Sequence, residues 1–153
     1  MGFMLGPEHE KHLDRLDNQV RFAPTCVGDL FCKVIAEACT RLPASSRTRL
    51  DQLIEACAWI DAAFALIEFE LPAWQLRRLV CEDGEWFCSL SRQPSLPAEL
   101  DDTADASHDV LPLAILRAFL EARRRIDVGH EVSSAAPHIR AAGNRMICCD
   151  NFA

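Results

Sequence analysis

The sequence predicts an α+β fold, mainly helical, with two long helices and a shorter one packed on an antiparallel β-hairpin. Apolar residues recur at three- and four-residue steps over residues 26–42, 46–70 and 109–127, the signature of amphipathic helices. Between the last two stretches the period changes and centres on Asp83-Gly84. That dipeptide favours a two-residue hairpin turn because both positions need positive φ. The 153 residues are half hydrophobic and a quarter charged, an ordinary globular composition. A chain of this length buries roughly 70% of its unfolded surface, enough for a core without staples.

Residues 1–24 form a polar N-terminal segment, with one short helix opened by Pro7 and carried through Leu13 and Leu16. His9 and His12 share a face at i, i+3, but His-Glu-Lys-His is not the His-Glu-x-x-His of zinc proteases, so surface histidines are the favoured reading. A single α+β domain spans 25–127. Its first helix carries Val27, Leu30, Phe31, Val34, Ile35, Ala38 and Leu42 inward, and Asp29, Lys33, Glu37 and Arg41 outward. Thr25 is its expected N-cap, Pro43 ends it, and Cys32 and Cys39 sit together at the edge of its stripe. A longer helix follows over 46–70, amphipathic through Leu50, Leu53, Ile54 and Cys57, then apolar nearly all round from Ala56 to Ile67. A helix apolar on every side is covered on every side, which makes this one the expected centre of the fold or part of an interface. Asp61, the lone charge in that stretch, projects towards the core stripe, and an unpaired buried carboxylate is costly; a structural partner is expected.

Pro72 ends this helix, and Trp74 to Arg92 read as the hairpin. With Asp83-Gly84 as the turn, Cys81 opposes Trp86, Leu79 opposes Cys88 and Arg77 opposes Leu90. One face then carries Leu79, Cys81, Trp86, Cys88 and Leu90 towards a core. The other carries Trp74, Leu76, Arg78, Val80 and Phe87. Residues 93–109 read as an acidic connection, mobile or laid on the surface. A third helix runs from Asp109 or Leu111 to about Asp127, with Asp109 as cap, Pro112 in the first turn and Gly129 as stop. Its two stripes (Leu111, Ile115, Ala118, Phe119, Ala122, Ile126 and Leu113, Leu116, Leu120) demand cover on more than one side. Residues 128–153 read as an irregular C-terminal tail.

Net charge is −7, and residues 82–109 alone hold eight acids and one base. A nucleic-acid binder needs concentrated positive surface. The compact basic cluster, Arg123-Arg124-Arg125, falls where cations oppose a helix dipole, so no nucleic-acid partner is expected. No apolar run reaches the ~18 residues of a membrane helix, and the first residues lack a basic flank before an apolar stretch. The expectation is a cytoplasmic chain without a membrane partner. Eight cysteines fall below the density of a disulfide scaffold, and none forms a Cys-x(2–4)-Cys knuckle. Buried filler is favoured for most. Cys81 with Cys88, and the vicinal Cys148 and Cys149, are the two candidate thiol or metal pairs. The six glycines are scattered, with no phosphate loop; there is no Gly-x-Ser-x-Gly elbow and no catalytic Cys with a recognisable His. Hence no catalytic residue, metal ligand or cofactor is assigned.

From Leu50 to Arg125 the order is helix, strand, Asp-Gly turn, strand, acidic loop, then a helix opening Leu111-Pro112-Leu113-Ala114. With Asp61-Ala62-Ala63-Phe64-Ala65-Leu66 in its first helix, this half of the chain resembles the α-β-β-α sandwich-type small domains of phage and prophage origin. It also resembles small bacterial proteins of soil alphaproteobacteria with no assigned activity. The resemblance implies a fold and no catalytic residues. Helices and a hairpin with more apolar surface than they can hide point to an interface, most commonly a symmetric homodimer. The expected function is therefore a non-catalytic, self-associating or protein-interaction module, using the hairpin (Trp74, Leu76, Val80, Phe87) and the second half of the long helix; the alternatives are a thiol or metal protein on the two cysteine pairs, and an enzyme whose site the sequence does not reveal.

Overall fold

The computed structural model describes residues 7–25, 28–39 and 42–135. Among these the chain is α+β, with five helices and a three-stranded antiparallel sheet. Helix α1 (Pro7–Arg21) starts with proline at its first position, where a missing N–H costs nothing, and carries Glu8 and Glu10 in its first turn. It is longer than expected, because Val20 continues the Leu13 and Leu16 stripe, and all three are buried in the common core. Helix α2 (Gly28–Ala38) buries Phe31, Val34, Ile35 and Ala38, as its periodicity predicts. It begins past Thr25, and Cys32 points to solvent rather than joining Cys39 at the stripe. Phe31 stacks on Trp59 with ring centroids 5.6 Å apart, and His12 Nε2 lies 3.0 Å from Glu37, tying α1 to α2.

The long helix expected over 46–70 is two helices, α3 (Ala44–Glu55) and α4 (Trp59–Glu70). Cys57 between them takes φ +54°. Its N–H bonds the Ile54 carbonyl at 3.0 Å and the Ala58 N–H bonds the Leu53 carbonyl at 2.9 Å, the paired pattern of a Schellman stop. Glycine usually marks that stop; a cysteine does not advertise it. The break also moves Asp61. It falls in the first turn of α4 and is exposed, where a carboxylate favours the positive end of the helix dipole and needs no buried partner.

Strands β1 (Gln75–Glu82) and β2 (Glu85–Ser91) form the expected hairpin. Asp83 at φ +53° and Gly84 at φ +82° make the two-residue turn, and Leu79 faces Cys88 and Cys81 faces Trp86 as read from the sequence. A β-bulge at Arg77 then shifts the register, so Leu76, not Arg77, faces Leu90. The acidic connection contains a third strand, β3 (Thr103–His108), antiparallel to β2. Thr-Ala-Asp-Ala-Ser-His does alternate, burying Ala104 and His108, but its apolar positions are methyl-sized and raise no hydrophobic signal.

Helix α5 (Leu111–Ala135) is the centre of the molecule, a place the sequence gives to the second helix. It packs on β2 and β3, and also on α1 and α4, while α3 packs on α4. Both of its predicted stripes are therefore used, with Leu113, Ile115, Leu116, Phe119 and Leu120 buried. Its first-turn N–H groups, from Leu113 and Ala114, bond the Val110 carbonyl, so the chain enters the helix at Val110 and not at Asp109. Gly129 does not stop it; the helix continues to Ala135 through residues read as tail.

Candidate interaction surface

Side chains of paired antiparallel residues share a face, so the register sorts the sheet. Trp86, Cys88, Leu90, Ala104 and His108 face α5. The opposite face carries the rows Val80–Phe87–Ser107 and Arg78–Ser89–Asp105, and no helix among the described residues packs along it. An antiparallel sheet tolerates one solvated face. Here that face keeps half-buried Val80 and Phe87, with the Arg78 guanidinium 5.9 Å from the Phe87 ring centre.

The four residues expected to form the hairpin interface are separated by this geometry. Val80 and Phe87 stay together on the open face. The bulge moves Leu76 to the side shared with Leu90, at the sheet's β1 edge, where it is 42% exposed. Trp74 is only 4% exposed and belongs to the core, with the Arg92 guanidinium 5.3 Å from its ring centre. The second half of the former long helix is also largely spent inside the chain: Ala62, Ala63, Ala65, Leu66 and Ile67 of α4 are buried, and Ile60 is exposed.

The bulge has a second effect. Arg77 bonds Asp101 Oδ2 at 2.6 Å, the Leu96 carbonyl at 3.0 Å and the Pro94 carbonyl at 3.3 Å. Ser91 Oγ donates to the same Asp101 oxygen. The Asp101 side chain is 1% exposed, so the acidic connection is laid down and pinned.

At the other edge, β3 pairs among the described residues with β2 alone and opens on a cleft of about 700 Å³. Phe22, which is 77% exposed, lines it with Ala23, Phe87, Asp105 and Val110. Arg117 from α5 reaches this edge: Nη1 donates to the Ser107 carbonyl, while Nε and Nη2 bond the two Asp17 carboxylate oxygens at 2.9 and 3.3 Å. On the opposite side of Ser107, its hydroxyl donates to Glu85. His108, 8% exposed, accepts the Val110 N–H at Nδ1 over 2.8 Å. Its Nε2 is buried and has no hydrogen-bond partner among the described residues.

Cys88 is buried, and burial together with the Asp105 charge pushes its thiol up to about 12. Cys81 is exposed at the hairpin's end. One thiol lies inside and one outside, in keeping with the filler reading for Cys88 rather than a paired site. Burial and the Glu70 charge likewise push Cys39 up to about 12. Cys148 and Cys149 lie outside the described residues. Among the described residues no group of three or more His, Cys, Asp or Glu side chains is placed to hold a metal, and no helix is long and apolar enough to cross a membrane. The basic cluster lies in mid-helix rather than at a C-terminus. Arg124 binds Asp14 and Glu121, and Arg125 binds Glu121 and Asp102. Burial opposes the Arg124 charge, but the Glu121 hydrogen bond and the nearby carboxylates outweigh it and raise its pKa. Sequence reasoning missed Arg117 and the β3 edge together, because neither has meaning until β3 is recognised as a strand. Comparison of the chain with protein-family models, with curated proteins and with solved structures finds no match.

Proposed function

We propose that the chain is a non-catalytic protein-interaction module whose contact element is the sheet, acting in a reducing, cytoplasmic setting. One observation carries this reading: Phe87 and Val80 are half-buried on the face opposite α5, and Phe87 continues into the cleft beside β3. Apolar side chains on a solvated face cost little in isolation, but joined to a cleft walled by Phe22 they make a contiguous surface of the kind that protein partners cover. Self-association across this face is the simplest form of the reading, because two-fold dimers are the commonest assembly. At Cys81 and Cys88 the thiol or metal alternative loses support from a buried, protonated Cys88 beside an exposed Cys81, while its other pair, Cys148 and Cys149, lies outside the described residues. Residues 50–125 lend a resemblance to phage-type small domains, which adds no residue role.

Sedimentation velocity over a wide concentration range tests the reading. Wild type is expected to sediment as a dimer, and Phe87→Glu, which places a charge at the centre of the face, as a monomer. Identical sedimentation of the two proteins would remove self-association through this face.

A further inference from the structure

Resting on the interaction reading, we propose that the outer edge of β3, unpaired among the described residues, is a strand-addition site for a basic, extended segment of another protein, and that Arg117 guards it. An added strand bonds through the unpaired backbone groups of an edge. The Ser107 carbonyl is engaged by Arg117 of α5, so it is turned away from β2. Ladder alternation turns the N–H and C=O groups of Asp105 and Thr103 the same way. The acceptor nearest the chain's entry into α5 is therefore occupied by a side chain that Asp17 holds in place through two hydrogen bonds. Proteins protect sheet edges from indiscriminate pairing with devices of this kind. This one is reversible: a strand that displaces Nη1 leaves Arg117 still paired with Asp17.

Charge selects the occupant. Asp105 stands in the middle of the edge, with Glu85 and Asp109 also lining the cleft. Of the two cations there, Arg21 and Arg117, the second is already neutralised by Asp17. A second copy pairing β3 against β3 about a two-fold axis through the strand's middle would set Asp105 opposite Asp105, and like charges directly opposite destabilise a sheet. A foreign strand with Lys or Arg opposite Asp105 gains what the second copy loses. Its alternate residues, small or apolar, meet the wall of Phe22, Ala23 and Val110.

The probe is a fluorescent hexapeptide of alternating Lys and Val, compared with its Glu-Val counterpart by anisotropy titration. Wild type is expected to bind the Lys-Val peptide and reject the other. Arg117→Met should bind it about tenfold tighter, the worth of one freed backbone acceptor. Asp105→Pro should abolish binding, since it removes an outward N–H without touching the β2 ladder, and Asp105→Lys should transfer the preference to the Glu-Val peptide. Should Arg117→Met fail to fold, Asp17→Asn, which loosens the guanidinium without removing it, is expected to tighten binding in the same direction. Equal binding of both peptides, no gain on freeing Arg117, or association of Arg117→Met without peptide beyond the assembly that wild type forms would each overturn the proposal. Absence of peptide binding while Phe87→Glu still alters sedimentation would overturn strand addition and leave the interaction reading intact. Failure of both would overturn both.

Discussion

Two cysteines show how far single residues depart from what their neighbours in sequence suggest. Cys57 occupies a left-handed backbone position at the end of α3, and its side chain is exposed. A residue with a Cβ pays about 1 kcal/mol there that glycine does not. Cys57→Gly is therefore expected to stabilise the protein by roughly 1 kcal/mol and raise the melting midpoint by about 2–4 °C, measurable by calorimetry; a destabilised variant would mean the side chain packs in a way its exposure denies. Cys88 acts in the opposite sense. Its thiol ionises near 12 in the folded protein against an ordinary value of 9.0, so the unfolded chain releases its proton first as pH rises. The stability this thiol contributes is whole below about pH 9 and is lost between there and pH 12, at up to about 1.4 kcal/mol per pH unit. Urea unfolding at about pH 8 and about pH 10 should show wild type weakening more than Cys88→Ala over that interval. Equal losses would place the thiol in contact with water.

Elements formed where the sequence says they form when a local code was strong, and went unseen when it was weak. Asp83-Gly84 carries its turn in its own dihedral preferences, so the hairpin and half its register were legible. The amphipathic stripes of α2 and α5 were legible for the same reason. β3 was not, because two alanines facing the core look like nothing at the scale of a hydropathy pattern. The bulge at Arg77 was not, because a one-residue insertion leaves the alternation intact on either side of it; its cost was the placement of Leu76 in an interface where only Val80 and Phe87 belong. That bulge organises the connection between β2 and β3. Arg77→Ala would leave the Asp101 carboxylate, 1% exposed, without its guanidinium, a loss of about 2 kcal/mol for a charged hydrogen-bonded group. The expected result is a lower urea midpoint together with new proteolytic cleavage within residues 93–102. Unchanged cleavage would show that the loop is held by its other contacts, such as Arg125 with Asp102.

In the whole molecule, α5 is the spine that joins otherwise separate layers, with the sheet on one side and α1 and α4 on others. The polar look of residues 1–24 concealed this, since α1 spends few apolar residues but places them all inward. Burying Leu13, Leu16 and Val20 is worth several kcal/mol at about 1.5–3 kcal/mol each, comparable with the entire stability of a typical domain, about 5–15 kcal/mol. A chain lacking residues 1–21 is accordingly expected to lose its cooperative urea transition by circular dichroism. A retained transition would show that the remaining helices and sheet form a core without α1.

The ion pairs that seat α1 join residues a hundred positions apart, Asp14 with Arg124 and Asp17 with Arg117. The sheet and α5, by contrast, are consecutive neighbours in the chain. Contacts between distant positions carry the larger loop-closure cost and form late. On the ribosome, where the chain emerges N-terminus first, α1 is made before the α5 residues that seat it. Its leucines wait for a partner synthesised about a hundred residues later.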